Sequence, residues 1–339
     1  LPANQEGTSA YDPVVTAPGP APLAAPTPAR DGLDWQTDAL LGEPFAGAVL
    51  GAATLVRRTA PSEPRGAVLH VHGYNDYFFQ APLAEAFTAA GYAFYAVDLR
   101  AAGRSWRPDQ VPHYVTDLRE QAGDIARAAH AIRAAHPDLP LVVHAHSTGG
   151  LTASLWAHAQ RHATGADAGP DALVLNSPFL DLPGSSFAKA VGTPVLDRLA
   201  PLRPLTALSH SPSWYATALQ EVWEFDTTLK RPQGLPARAG WLRAVRRAQA
   251  RVARGLKIAC PVLVAVSGAS SVDRPGNPLV SSTDTVLDVE QIVARAPRLG
   301  SRVTTQRFEG GVHDLALSAP AVREVYLASV LAWLATVLS

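Results

Sequence analysis

Ser147 lies in the run His144-Ala145-His146-Ser147-Thr148-Gly149-Gly150, where an apolar stretch ends and a helical pattern begins. A serine hydroxyl is a weak nucleophile at neutral pH, so it needs exposure to substrate and a base within hydrogen-bond reach. A sharp strand-to-helix turn gives that exposure, and the close approach of strand and helix demands small residues two before and two after the serine. Ala145 and Gly149 hold those positions, with Gly150 adding room behind. Glycine is usual at the first of them, and alanine exceeds it by one methyl. The chemistry such a serine performs is acyl transfer.

Acyl transfer also needs a base, an acid to orient it, and donors for the developing oxyanion. The run Glu309-Gly310-Gly311-Val312-His313-Asp314 follows the last strand-like run, and its glycines let a loop carry His313 over Ser147. His130, His158, His162 and His210 fall on helices or in an inserted segment, and His146 is expected to point away from the relay. Three aspartates, Asp273, Asp284 and Asp288, follow the strand ending near Val266. Asp284 precedes an apolar pair and is the favoured acid, whereas Asp288 suits the N-cap of the next helix; Asp181 lies after the wrong strand. The oxyanion donors are expected to be the backbone N–H groups of Thr148, in the first helical turn, and of Tyr74, after His72-Gly73. His70 and His72 read as histidines framing that loop, and no third ligand at plausible spacing points to a metal. No cofactor is implied.

These residues need elements to position them. Phe45 to Arg58 suits a hairpin at a sheet edge. Apolar runs at 67–72, 92–99, 141–146, 172–176, 261–266 and 302–308 read as strands. Helical stretches at 79–90, 115–135, 147–162 and from 320 alternate with them. That alternation predicts an α/β architecture with a mainly parallel central sheet flanked by helices. It breaks between about Leu182 and Ala259, where prolines, helical segments and several aromatic residues (Trp214, Tyr215, Trp223, Phe225, Trp241) occur without a convincing strand. The expected organisation is a Pro/Ala-rich tail or linker over 1–32, a core over 33–181 and 261–339, and a helical cap over 182–260.

Together these motifs resemble the α/β-hydrolases of the serine aminopeptidase S33 and monoacylglycerol lipase type. The resemblance rests on His72-Gly73, Asp98-Leu99-Arg100 through Gly103-Arg104-Ser105, His146 to Gly150, Asp284-x-Val286-x-Asp288 and Gly310 to His313. It covers roughly Leu33 to the C-terminus. It implies an α/β-hydrolase fold with a helical cap, a catalytic triad of Ser147, His313 and Asp284, and hydrolysis of a carboxylic ester. Ala145 and a longer loop from Gly268 to Thr283 depart from the family pattern.

Composition narrows the partners. Of 339 residues 47% are apolar and 17% charged, enough for a sizeable core. Lys plus Arg and Asp plus Glu each total 29, so no net field recruits nucleic acid or an anionic membrane. No run reaches the roughly 18–20 apolar residues of a bilayer span, and Val325 to Leu338 reads as a packed C-terminal helix. The single cysteine, Cys260, excludes an intramolecular disulfide and reads as a small buried hydrophobe. One cysteine and no visible leader suit the cytoplasm, while the Pro/Ala-rich start suits a mature exported chain. The expected substrate is a small ester with an apolar acyl or aromatic part. Two rivals remain: an aminopeptidase for N-terminal proline, holding the amine with Glu221, Glu224 or Asp226, and a non-catalytic binding protein on the same fold.

Overall fold

In the computed structural model, residues 32–182, 194–209 and 213–339 are described, so nearly all of the 1–32 tail and residues 183–193 and 210–212 of the expected cap lie outside them. The strands are β1 (Gln36–Thr37), β2 (Phe45–Leu50), β3 (Ala53–Arg58), β4 (Gly66–Val71), β5 (Tyr92–Asp98), β6 (Leu141–His146), β7 (Ala172–Asn176), β8 (Ala207–Ser209), β9 (Ala237–Arg238), β10 (Val262–Ser267) and β11 (Val303–Phe308), of which β4, β6, β7 and β10 are short buried runs rich in Val, Leu and Ala. Nine of them make one sheet of order β1-β2-β3-β5-β4-β6-β7-β10-β11. The β1 to β3 meander joins β5 antiparallel, and every neighbour from β5 to β11 in that order is parallel. The mainly parallel α/β sheet is therefore present.

Helices cover both faces. On one lie α1 (Ala81–Ala89) and α7 (Pro320–Val337); on the other lie α2 (Leu118–Ala135), α3 (Ser147–Ala159), α5 (Ala239–Ala253) and α6 (Val289–Arg295), with α4 (Trp214–Leu219) outside both. Asp117 caps α2 by accepting from Arg119 N–H, three residues later than the predicted start. Helix α7 has 18 residues and mean hydropathy 1.2, enough by length and composition to span a bilayer, and differs there from the sequence expectation. Its inner face is spent on the core: Tyr326, Leu327, Val330 and Leu334 pack onto the sheet.

The segment between β7 and β10 corrects the expected cap in two ways. It contains the β8–β9 pair, two antiparallel strands too short to leave a periodic signal. It also ends earlier than 260, because α5 is a core helix. Trp241, Ala244, Val245, Ala248 and Val252 recur at helical spacing and bury with α2 and α3. Burying each large apolar side chain there contributes about 1.5–3 kcal/mol, which seats the helix against α2 and α3. Most cap aromatics also serve packing: Trp223 and Phe225 lie against Phe79, and Trp241 stacks 4.2 Å from Tyr74. Cys260 is buried, and burial pushes its thiol up to about 12.

Two core histidines follow from strand register. His70 on β4 faces His144 on β6, their Nδ1 atoms 2.9 Å apart, and His144 Nε2 meets the Tyr326 hydroxyl at 2.7 Å. One Nδ1 must donate and the other accept, so the accepting ring must be neutral. Burial holds His144 down to about 4 and His113 to about 3, and His70 well below its usual value. A histidine depressed in the fold is neutral there while the unfolded chain takes up a proton near 6.5, so its stabilisation is complete above that pH and is lost on acidification. Unfolding free energy measured by urea titration should fall between pH 6.5 and pH 4 by about 1.4 kcal/mol per pH unit for each such ring. A flat profile over that window would contradict neutral buried rings.

Candidate active site

The loops after β4, β6, β10 and β11 all leave the same carboxyl edge of the sheet, where ligands of open α/β sheets bind. Ser147 begins α3 immediately after β6, with φ of 53°, a left-handed conformation that L residues other than Gly rarely adopt. Gly149 makes this turn feasible. A Cβ there would run into the His72 carbonyl oxygen and lie 2.9 Å from that of Val71. Ala145 is tolerated because its methyl points into the apolar core with Val71 and Leu175.

The structure brings Ser147, His313 and Asp284 together. His313 Nε2 lies 3.1 Å from Ser147 Oγ, and His313 Nδ1 lies 2.9 Å from Asp284 Oδ2. All three are buried, Asp284 completely. Gly310, at φ of 73°, and the Ser267 hydroxyl, donating to Gly311 O at 2.6 Å, shape the loop that carries His313. The second carboxylate oxygen of Asp284 accepts from Val286 N at 2.9 Å and Leu287 N at 2.8 Å, which fixes the carboxylate plane. A serine hydroxyl, an imidazole and a carboxylate in this sequence of contacts can pass a proton from the hydroxyl to the ring and hold the resulting imidazolium.

The other two aspartates go elsewhere. Asp288 caps α6, accepting from Glu290 N and Gln291 N. Asp273 accepts from Trp214 N and Tyr215 N at the start of α4. The longer loop from Gly268 to Thr283 thus closes on itself, with Asn277 donating to Ser271 Oγ and Val272 O, and reaches out to grip α4 before returning Asp284 to the sheet edge.

Tyr74 and Thr148 flank the serine. Thr148 is the second residue of α3, and its N–H has no acceptor within the helix. A Cβ on Gly73 would lie 3.0 Å from Ser147 Cβ, so the chain leading to Tyr74 passes directly beside the hydroxyl. His72 sets the orientation of this peptide. Its Nε2 accepts from Leu99 N–H at 3.0 Å, which leaves Nδ1–H to donate to Gly73 O at 2.7 Å. In a trans peptide N–H opposes C=O, so this bond also directs Tyr74 N–H away from His72. The Tyr74 side chain is occupied separately, donating to Pro236 O at 3.2 Å.

Sequence reasoning assigned no role to the polar cluster behind the triad. Asp76, His146 and Asp314 are buried, with one ligating atom of each within 4.8 Å of the others. Lys230 reaches in from the cap segment, its Nζ donating to Asp76 Oδ1 at 2.8 Å. Against the cost of burial, Lys230 and then His146 hold the Asp76 carboxyl well below the usual range. Asp314 accepts from Asn176 Nδ2 at 2.7 Å and Gln80 Nε2 at 3.1 Å. Two carboxylates and an imidazole are a donor set that metals accept, but here the ammonium supplies a cation. A faint signal existed: Lys230 is one of three lysines among 29 basic residues, beside an apolar aromatic stretch.

On the far side of Tyr215 lies a cleft of about 550 Å³, lined by Leu219, Val222, Trp223, Val312, Leu317 and Arg323 among others. Tyr215 lines this cleft, and its ring also lies edge-on to that of His313, centroids 5.9 Å apart.

The sheet order and the four loops at its carboxyl edge define an α/β-hydrolase. Within that class the chain belongs to the serine aminopeptidase S33 family, whose sequence model matches residues 62–320. It is 32% identical over 152 residues to a monoacylglycerol lipase of Mycolicibacterium smegmatis, a match covering 44% of this chain and 51% of that one. The chain thus spans about half the length of that relative. Among solved structures, a soluble variant of monoglyceride lipase from Saccharomyces cerevisiae superimposes with a TM-score of 0.65 at 15% identity, over 95% of this chain and 99% of the other. Monoacylglycerol lipase of Paleococcus ferrophilus gives 0.60 at 20% identity, over 81% and 96%. At these identities the likeness is one of fold.

The elbow makes a prediction that separates its two small residues. Gly149→Ala should destabilise the protein by about 3 kcal/mol or more, because backbone oxygens cannot move aside as a side chain can. Ala145→Gly should cost about 1 kcal/mol or less by denaturant melting. Equal, small effects would contradict the close approach at Gly149.

Proposed function

We propose that the protein hydrolyses carboxylic esters through an acyl-enzyme on Ser147. The observation that carries this is the continuous chain Ser147 Oγ, His313, Asp284, with contacts of 3.1 and 2.9 Å at the start of a helix whose first residue is held at positive φ. His313 removes the hydroxyl proton as Ser147 attacks the carbonyl, while Asp284 keeps the imidazole in the tautomer with Nδ1 protonated. The N–H groups of Tyr74 and Thr148 hold the oxyanion, each worth roughly 3–4 kcal/mol in such sites. His313 then gives its proton to the leaving alcohol and activates water for deacylation.

The substrate class is a glyceride or similar small ester. The Mycolicibacterium smegmatis relative, a monoacylglycerol lipase, supports it, as do two monoglyceride lipases among the structural neighbours. The proline-aminopeptidase reading needs a free carboxylate near the substrate amine. Of the three carboxylates it could use, Asp226 already accepts from Thr228 N and Oγ1 and Glu224 is exposed, while Glu221 lines the cleft beside Tyr215; the lipase relative favours the ester.

Ser147→Ala should lower kcat on a short-chain nitrophenyl ester by about 10⁴-fold or more, with circular dichroism unchanged. Asp284→Asn should lower it by about 10⁴-fold through the wrong histidine tautomer. Asp288→Asn should leave turnover within about twofold and cost only capping energy. Retained hydrolysis in the Ser147 variant, or faster cleavage of a proline anilide than of the ester, would overturn the proposal.

A further inference from the structure

His146 is a buried titratable group that the acyl-transfer steps do not use. Its Nδ1 lies 3.6 Å from Asp76 Oδ2 and 4.0 Å from Asp314 Oδ2. Neither of its ring nitrogens, nor Asp76 Oδ2, has a hydrogen-bond partner among the described residues. Its ring lies against that of His313, centroids 4.8 Å apart and planes at 58°. Gly73 closes the near side, since a Cβ there would come within 3.2 Å of His146 Nδ1. Two carboxylates converging on one imidazole nitrogen form the surroundings of a cation, and Lys230 neutralises only one of them.

We propose that His146 is a positioning residue for His313: an imidazolium clamped between Asp76 and Asp314, it fixes the face of the neighbouring ring and keeps a positive charge beside it. The inference rests on the reading of His313 as the base. A cation beside an imidazole disfavours a second proton on that ring, and its removal favours one. Burial opposes the charge on His146, but Asp314 and Asp76 outweigh it and raise its pKa, with Lys230 acting the other way. The remaining nearby rings are His70, His72 and His144, of which His70 and His144 are held neutral by burial. Around His313 itself stand Asp284, Ser147 and the Tyr215 ring.

The test is the pH profile of kcat/KM for ester hydrolysis by wild type and by His146→Asn, with Ser147 labelling by a fluorophosphonate run alongside. Removing the cation should move the acid limb up by about half to one pH unit and lower kcat by about tenfold, with KM changed by about twofold or less. A purely structural His146 would lower activity or stability without moving that limb, and an unmoved limb overturns the proposal. Nitrogen NMR of wild type labelled at histidine gives an answer even if the variant fails to fold. One ring with both nitrogens still protonated above the ordinary histidine value of about 6.5, unaffected by a chelator, supports the proposal; no such ring, or one that a chelator changes, overturns it. Wild type that neither turns over the ester nor takes the label would count against His313 as base, while the NMR still reports the charge on His146.

Discussion

The close passage of the β6–α3 turn under the β4 loop is the constraint on which the rest of the site depends. A non-glycine residue in the left-handed region costs about 1–3 kcal/mol, and Ser147 bears that cost with φ of 53°. Burial of Leu151, Ala153 and Trp156 along α3 offsets it. The reward is position. Strands β4 and β6 are neighbours in the sheet, so the loops that leave them meet, and the only side chain that fits between the His72 carbonyl and α3 is a hydrogen at Gly149. That contact brings the Tyr74 peptide and the first turn of α3 beside one hydroxyl.

The loop after β4 is in turn held by buried charge. Asp98 accepts from Phe78 N and from Arg104, and Arg104 also pairs with Asp38, fastening the loop to the sheet edge. Asp76, two residues after Tyr74, is fastened to the cap segment by Lys230, and Asn75 exchanges two hydrogen bonds with the Arg231 backbone. Removing one partner of a buried pair costs about 3–5 kcal/mol, because the other charge is left uncompensated. The segment over the site is therefore joined to the chain that carries the Tyr74 N–H, and its seating and the geometry around Ser147 are linked.

Much of this was legible in the sequence for identifiable reasons. Ser147, His313 and the strand–helix alternation are local signals, each carried by a few consecutive residues. Asp284 was separable from Asp288 because an N-cap has its own signature, an aspartate just before a helix. Asp273 differed only in place: its role of gripping α4 depends on a partner about 60 residues away. The same distance hid Lys230, whose carboxylate partner is 154 residues earlier. For a related reason amphipathic spacing reveals that α5 buries one face but not that this face meets α2 and α3. His146 is the sharpest case. Its neighbour in sequence is the serine, yet its surroundings are supplied by Asp76, Asp314 and His313 from two other loops.

The most direct measurement is to quench the enzyme rapidly during turnover of an activated ester and locate the acyl group by peptide mass. One acyl mass is expected, confined to the peptide containing Ser147 and absent from Ser147→Ala. Turnover with no covalent adduct, or with the acyl group on another residue, would contradict it.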